Sequence, residues 1–210
     1  MRIPDKLCAF TFDDGPDPIK TQRVLDVLRK YHVSATFFLV GSRVNEHTKA
    51  TVQQILDMDC EVGNHSWDYE SLNTVSAEVV KQKFTKTQEA IKTIGGTEAR
   101  FFRPPNLAVS QTMFNVIPLP FVEGVAGFDW AGCGTTAEDR ARKVLEGMAD
   151  GAIILLHDVQ PDPHPTPEAL DILIPELMNQ GYEFVTLTEL FKRKEIDPAS
   201  RQGAMWKYVK

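Results

Sequence analysis

Two adjacent carboxylates, Asp13 and Asp14, stand directly after the apolar run 7–12 and before Gly15-Pro16. Neighbouring carboxylates repel each other, so one of them must bind a cation or stay protonated. The pair can therefore divide into a metal ligand and a general base. Gly15 and Pro16 end the run and place both acids at the C-terminal end of a predicted strand. Taken alone, the same four residues could equally form a polar turn.

The chain alternates short apolar runs with amphipathic stretches, which is typical of an α/β protein. Helical periodicity is clearest over 21–31 and 77–94, and Thr166 and Gly181 are predicted to cap and to close a further helix. About seven strand-helix units predict an α/β barrel, with an open doubly wound sheet as the alternative. The strand-like runs are 7–12, 35–40, 60–63, 99–102, 121–128, 152–156 and 183–187.

An α/β barrel builds its active site at the C-terminal ends of its strands, so reactive side chains should follow several of these runs. The histidines His32, His47 and His164 fall in predicted helix ends or loops and are interpreted as solvated. Other reactive side chains do recur directly after predicted strands, and this recurrence favours a functional site. The strand-end residues are His65 after the third run, Arg103 after the fourth, Asp129 after the fifth and His157 after the sixth.

The types of these residues indicate hydrolytic chemistry. Asp14 and His65 offer a hard oxygen and an imidazole nitrogen, which suit Zn or a similar divalent ion with open positions for water. Asp13 could then take a proton from water whose pKa the ion lowers. His157 follows a buried-looking apolar run and could protonate a leaving group.

Two further groups could tune this acid and this base. A carboxylate at Asp129 could orient the imidazole of His157. The guanidinium of Arg103 could hold a carboxylate in its ionised form.

Composition narrows the class of protein. The 210 residues, 42% hydrophobic and 25% charged, fit one soluble globular domain, and a formal net charge of -6 argues against a nucleic-acid partner. Residues 1–6 lack the apolar core of a secretory signal and no run could span a bilayer, so we expect a cytosolic protein or a mature module of something larger. Cys8, Cys60 and Cys133 form no Cys-x-x-Cys pattern and are expected to pack as small hydrophobes.

Five motifs, taken in order, resemble those of the polysaccharide deacetylase family, which is carbohydrate esterase family 4 and is also called the NodB homology domain. The resemblance covers about residues 7–190 of a single catalytic domain, 1–210, and leaves 191–210 as a C-terminal extension. It implies a distorted (β/α)7–8 barrel that removes acetyl groups from polysaccharides. The motifs are Thr11 to Pro16, His65-Ser66, Arg103-x-Pro105, Asp129-Trp130 and Ile153-x-Leu155-x-His157.

The resemblance also implies a role for each matching residue. One divalent ion, Zn or Co with Ni or Mn as alternatives, would be held by Asp14 and His65. The implied base is Asp13 and the implied acid is His157. The remaining implied roles are Arg103 and Asp129 as groups that tune this pair, Pro105 and Asn106 as substrate-binding residues with the Asn106 N–H aiding the oxyanion, and Trp130 and Leu155 as walls of the acetyl pocket.

The chain departs from the family pattern where a second metal-binding histidine is usual. Tyr69 stands there, four residues after the first histidine, and a neutral phenol is a poor ligand. Water or Tyr69 itself could complete the site, while the neighbouring Asp68 fits a surface turn as well. Asn106 replaces the usual aromatic of the third motif, and Ala126 stands where an aspartate is common.

A weaker metal site favours esters, because amide cleavage depends more heavily on oxyanion stabilisation. We therefore expect an acetylxylan esterase acting on an acetylated polysaccharide. The alternatives are N-deacetylation of chitooligosaccharide or peptidoglycan, and a non-catalytic carbohydrate-binding relative. An aspartyl phosphotransferase is disfavoured, because such enzymes usually space their acids Asp-x-Asp. A polymeric wall substrate implies a secreted protein, and such a protein could be one module of a larger multidomain enzyme.

Overall fold

The computed structural model describes residues 6–131 and 135–210, in which six strands and seven helices alternate along the chain. The strands are β1 (Lys6–Asp13), β2 (Thr36–Leu39), β3 (Glu61–Asn64), β4 (Val125–Ala126), β5 (Ala152–His157) and β6 (Tyr182–Phe184). The helices are α1 (Lys20–Tyr31), α2 (Lys49–Asp57), α3 (Ala77–Gly95), α4 (Gln111–Val116), α5 (Ala137–Glu146), α6 (Thr166–Asn179) and α7 (Leu187–Arg193).

The first strand is the centre of a parallel sheet with the order β3-β2-β1-β5-β4. β6 pairs in parallel with the N-terminal part of β1, where Lys6 lies beside Tyr182. β5 accompanies β1 from Cys8 to its end, and this register places Asp13 beside His157. Because these strands are parallel, their C-terminal ends gather at one edge, as the sequence predicts.

The fourth and fifth predicted strands are much shorter than their apolar runs. Phe102 makes single bridges to the end of β3 and to Phe121, and ladder pairing resumes only at β4. Pro104 and Pro120 flank these bridges, and a proline has no N–H to give to a ladder. The predicted barrel is therefore a distorted one, with continuous strands from β3 through β1 to β4 and single bridges on its other side.

The C-terminal residues pack against the sheet. Trp206 bridges to Val122 in parallel, and Tyr208 bridges to Ala152 in antiparallel orientation. Val209 is buried in the core cluster that also contains Trp206. The predicted extension 191–210 therefore covers one side of the sheet. In the described part of the chain, no helix has the length and apolar character needed to cross a membrane.

The side chains of β1 alternate between two cores, as a strand requires. One face packs Phe10 and Phe12 against α1 and α6. The other begins with Leu7 and Ala9 in the cluster that includes α7, and it continues to Thr11 and Asp13, both buried. Burial on both faces explains the continuous apolar run. It also fixes the direction of Asp13, whose carboxylate must lie on the inner face.

The cysteines at positions 8 and 60 are buried and free, as the sequence predicts, and Cys133 lies outside the described residues.

Candidate active site

A cavity of about 400 Å³ opens at the C-terminal edge of the sheet. Eight of the ten predicted site residues line it, and the other two, Arg103 and Asp129, are buried at 0% and 1% exposure against its polar groups. The strand ends therefore bring the candidates together, as predicted. The predicted residues that line the cavity are Asp13, Asp14, His65, Pro105, Asn106, Trp130, Leu155 and His157.

The carboxylate of Asp13 is hydrogen-bonded to the buried guanidinium of Arg103. Arg103 Nη1 donates to Asp13 Oδ1 at 2.7 Å and to Thr11 Oγ1 at 2.7 Å. The remaining nitrogens of Arg103 donate to the carbonyls of Val122 and Glu123. One oxygen of Asp13 is therefore occupied, while its side chain still borders the cavity.

Asp14 and His65 face each other across a short gap, with Asp14 Oδ1 3.5 Å from His65 Nε2. His65 Nδ1 lies 2.8 Å from the carbonyl oxygen of Arg103, which can only accept, so Nδ1 carries the proton. The lone pair of Nε2 then points at a carboxylate oxygen. Two acceptors this close to each other need a cation or a proton between them. A carboxylate oxygen and an imidazole nitrogen are also common metal ligands.

The electrostatics of this pair agree with that arrangement. Burial raises the pKa of Asp14, but its interaction with the protonated form of His65 and other nearby positive charges hold it below its usual value. Burial lowers the pKa of His65, but Asp13 and Asp14 more than offset this and raise it. Both shifts reflect the closeness of one imidazole to two carboxylates.

The two residues considered as substitutes for a second histidine have other partners. Arg43 Nε donates to the phenol oxygen of Tyr69 at 2.8 Å, although Tyr69 does line the cavity. Lys83 Nζ lies 2.6 Å from one carboxylate oxygen of Asp68 and 2.8 Å from the other. Across residues 6–131 and 135–210, no group of three His, Cys, Asp or Glu side chains could hold a metal ion. Asp14 and His65 remain the candidate ligands at this cavity, with Asp13 Oδ2 3.9 Å from His65 Nε2.

Another part of the cavity wall is a tight turn. Asn106 and Leu107 both have φ in the left-handed region, at 58° and 54°, which is unusual for a leucine. Asn106 Nδ2 donates to Ser71 Oγ at 2.9 Å, so its side chain fixes the turn. The turn brings Pro105, Asn106 and Leu107 into the cavity wall.

One carboxylate binds both the imidazole and the backbone N–H of His157. His157 Nδ1 lies 2.7 Å from Asp129 Oδ1, and the backbone N–H of His157 donates to Asp129 Oδ2 at 2.7 Å. Burial lowers the pKa of His157, but Asp129, with smaller effects of Asp13 and Asp14, more than offsets this and the pKa is raised to about 9. These carboxylates favour the protonated imidazole. The ring of Trp130 meets it edge-on at 5.7 Å.

Two interpretations from the sequence are wrong at this point. His164 was expected to be solvated but is only 3% exposed, and its Nε2 lies 2.8 Å from the carbonyl oxygen of His157. Thr166 was expected to cap α6 but is its first helical residue, and its hydroxyl donates to Asp129 Oδ2 at 2.9 Å. Both lie within ten residues of His157 in the sequence, but nothing local marks either of them as a partner of the site. His32 and His47 are exposed, as predicted.

Two further residues of the site were given no role by sequence reasoning. Gln160 Nε2 donates to Asp14 Oδ2 at 2.7 Å and lines the cavity. Asp158 is fully buried, accepts a hydrogen bond from Thr21, and its pKa is raised by burial to about 7. A Cβ at Gly15 would overlap the carboxylate of Asp158, so only glycine fits after the two acids.

Comparison with known proteins identifies the family. The polysaccharide deacetylase family model matches residues 2–118. The chain belongs to the polysaccharide deacetylase family. A family 4 acetyl xylan esterase from Clostridium thermocellum, in complex with a cobalt ion, superimposes with a TM-score of 0.94 at 51% identity over 97% of this chain and 99% of that one.

Two curated relatives of this family are longer proteins. The bifunctional xylanase/deacetylase of Pseudobutyrivibrio xylanivorans is 43% identical over 98% of this chain and 33% of its own length. The peptidoglycan-N-acetylglucosamine deacetylase PgdA of Listeria monocytogenes (strain 10403S) is 39% identical over 90% of this chain and 40% of its own length. The chain thus spans about a third to two fifths of these relatives.

Proposed function

We propose that this chain is a metal-dependent esterase that removes O-acetyl groups from acetylated xylan. The observation that carries the proposal is that a candidate base, Asp13, and a candidate acid, His157, line one cavity and are each bound by a buried, oppositely charged partner. Asp13 is held by the guanidinium of Arg103, and His157 is kept protonated by Asp129. A base and an acid on the same cavity are what hydrolysis of an acyl bond needs.

In the proposed reaction Asp13 takes a proton from a water molecule as the water oxygen bonds to the acetyl carbon. Oδ1 of Asp13 is occupied by Arg103, so Oδ2 is the oxygen that accepts this proton. The bond from the acetyl carbon to the sugar oxygen then breaks. His157 gives its proton to that oxygen, which leaves a free sugar hydroxyl and acetic acid, which ionises to acetate in water. Asp13 then loses its proton and His157 regains one, so both groups return to their starting states.

Asp14 and His65 are the residues that we propose hold one divalent ion, Zn or Co, with Ni or Mn as alternatives. When bound, the ion supplies Lewis-acid polarisation of the acetyl carbonyl and lowers the pKa of water. The protein's own contribution is orientation. The hydrogen bond from His65 Nδ1 to the Arg103 carbonyl and the bond from Gln160 to Asp14 fix both ligands.

The preference for an ester follows from the small number of protein ligands. With Tyr69 bound by Arg43 and Asp68 by Lys83, the ion has less support from the protein than a site with two histidines would give. An amide carbonyl is less electrophilic and depends more on that support. Relatives whose names include acetyl xylan esterase and xylanase/deacetylase agree with this preference.

The acetyl group would lie between apolar walls. Leu155 lines the cavity and is 2% exposed, and Trp130 contacts His157 and has 44% of its surface exposed. The Pro105–Leu107 turn faces them. Our proposal is that the backbone N–H of Asn106 helps to stabilise the oxyanion while Pro105 shapes the opposite wall.

N-deacetylation of peptidoglycan or chitooligosaccharide is the second candidate. The observation in its favour is the 2.7 Å contact between His157 Nδ1 and Asp129 Oδ1, which favours a protonated imidazole, because a nitrogen leaving group also requires a protonated acid. A purely carbohydrate-binding relative is disfavoured, since sugar binding does not require both Asp13 and His157 to be prepared by buried partners.

The polymeric substrate suggests a secreted protein. The relationship to a bifunctional xylanase/deacetylase suggests that the chain works as one module of a multidomain enzyme. The formal net charge of -6 supports a partner other than nucleic acid.

A substrate panel tests this function. Metal-loaded protein would be incubated with acetylated xylan, chitin oligomers, peptidoglycan and an aryl acetate, and acetate release would be measured with Zn, Co, Ni and Mn. We expect release from xylan and the aryl ester to exceed release from the amides by at least about tenfold. Faster release from either amide polymer would select the second candidate, and sugar binding without release under every metal would select a binding protein.

A further inference from the structure

A second buried guanidinium lies behind the acid. Arg140, in α5, is only 1% exposed. Its Nε donates to Thr135 Oγ1 at 3.1 Å, its Nη1 donates to Thr166 Oγ1 at 3.0 Å, and the same Nη1 lies 3.2 Å from His164 Nδ1. None of these three partners is a carboxylate. A buried charge needs compensation, so its location calls for an explanation.

Thr166 connects Arg140 to the carboxylate of Asp129. The hydroxyl oxygen of Thr166 accepts from Arg140, and its own O–H donates to Asp129 Oδ2 at 2.9 Å. That oxygen also accepts the backbone N–H of His157. The positive charge of Arg140 therefore acts on Asp129 through one polarised hydroxyl.

His164 provides a second connection, to the backbone of His157. The carbonyl oxygen of His157 can only accept, so His164 Nε2, at 2.8 Å, carries a proton. His164 Nδ1 then has a lone pair to accept from Arg140 Nη1. Burial lowers the pKa of His164, which keeps this tautomer neutral. A proton on His164 Nδ1 would clash with the N–H of Arg140.

We propose that Arg140 is a positioning residue for the acid pair of His157 and Asp129, acting through Thr166 and His164. The inference rests on the proposed function, in which His157 protonates the departing oxygen. Through Thr166 the guanidinium fixes the carboxylate of Asp129. Through His164 it fixes the backbone carbonyl of His157. Its charge favours the ionised form of Asp129, which in turn keeps the imidazole oriented and protonated.

The leaving group distinguishes this role from a structural one. A sugar alkoxide needs a proton from His157 to depart, whereas the phenolate of 4-nitrophenyl acetate departs without one. Loss of a residue that acts through His157 should therefore slow acetylated xylan far more than the aryl ester. A general loss of folded structure should slow both substrates equally.

The test compares kcat and KM on both substrates for Arg140→Met and Thr166→Val. Thr166→Ser, which keeps the hydroxyl, is the conservative rescue, and Ala141→Gly is the matched control because it weakens the same helix at the next residue without touching the network. We expect Arg140→Met and Thr166→Val each to lower kcat on acetylated xylan about tenfold or more, with less than about threefold loss on the aryl ester and little change in KM. Thr166→Ser should restore most of the xylan activity.

His157→Asn, measured alongside, separates the two proposals. We expect Ala141→Gly to slow both substrates alike. The role of Arg140 is overturned if Arg140→Met and Thr166→Val do the same while His157→Asn loses activity selectively on xylan. Unchanged xylan activity in both variants overturns it as well. If His157→Asn slows the two esters equally, the proposed role of His157 itself fails and the inference about Arg140 fails with it.

Discussion

Arg103 and Asp13 form a buried ion pair, with Arg103 Nη1 2.7 Å from Asp13 Oδ1 and side chains that are 0% and 4% exposed. The same nitrogen donates to Thr11 Oγ1, one inward-facing position earlier on β1. The base of the proposed reaction is thus built into the inner face of the central strand and is not carried by a mobile loop. Stability and activity should both depend on this pair.

Replacing one partner of the pair should be costly. We expect Arg103→Met to lower the free energy of unfolding by about 3–5 kcal/mol, because it leaves the carboxylate of Asp13 buried without its partner. The double variant Arg103→Met/Asp13→Asn should recover part of that loss, although it stays inactive. Urea unfolding of the two single variants and the double variant measures the coupling. Additive losses would contradict a direct interaction between the two side chains.

The pKa of His157 sets an alkaline limit on activity. Because the pKa is raised to about 9 by Asp129, the acid stays protonated through neutral pH and loses its proton above that value. We expect kcat/KM on acetylated xylan to fall as the pH rises through about 9. In Asp129→Asn, only the smaller effects of Asp13 and Asp14 would oppose the lowering of the His157 pKa by burial, so the fall should move to lower pH. An alkaline limb that stays in place in Asp129→Asn would show that another group titrates.

The residue at position 69 should tune metal affinity. Tyr69→His places an imidazole where the family usually has its second ligand, and we expect Co or Zn to bind at least about tenfold more tightly. Tyr69→Phe is the control, since the phenol oxygen already accepts from Arg43. It should leave the dissociation constant within about threefold. Chelator competition measures both, and a large loss of affinity in Tyr69→Phe would make the phenol a ligand.

An aromatic surface continues outwards from the cavity. Phe128 is 48% exposed, has φ of 53°, and its ring centroid lies 5.1 Å from that of Trp130. A bulky residue held exposed in the left-handed region suggests contact with the polymer. We expect Phe128→Ala to raise KM for acetylated xylan about fivefold, on the scale of one aromatic contact, with a smaller change for 4-nitrophenyl acetate. Equal changes on both substrates would place the effect on the fold.

The sequence predicted much of this site for a physical reason. Parallel strands bring their C-terminal ends to one edge, so residues that follow separate apolar runs must converge. That argument placed Asp13, His65 and His157 around one cavity without knowledge of any contact. It overestimated the strands near Phe102, because neighbouring prolines remove the donors that a ladder needs.

The supporting residues could not be predicted in the same way. Arg140, His164 and Thr166 act through hydrogen bonds that depend on how α5 and α6 pack, and each has a common surface or capping use that looks identical in sequence. Gln160 is similar, because nothing local marks it as a partner of Asp14. Periodicity reports which face of an element is buried, but it carries no information about which polar groups meet there.

The most direct test of the central claim is acetate release from acetylated xylan by metal-loaded protein and by its Asp13→Asn variant. The substitution keeps the shape of the side chain and removes its ability to accept the proton. We expect wild-type protein to release acetate and Asp13→Asn to be slower by at least about hundredfold, the scale of general base catalysis. Equal rates for the two proteins, or no acetate from either with Zn, Co, Ni or Mn, would contradict the account.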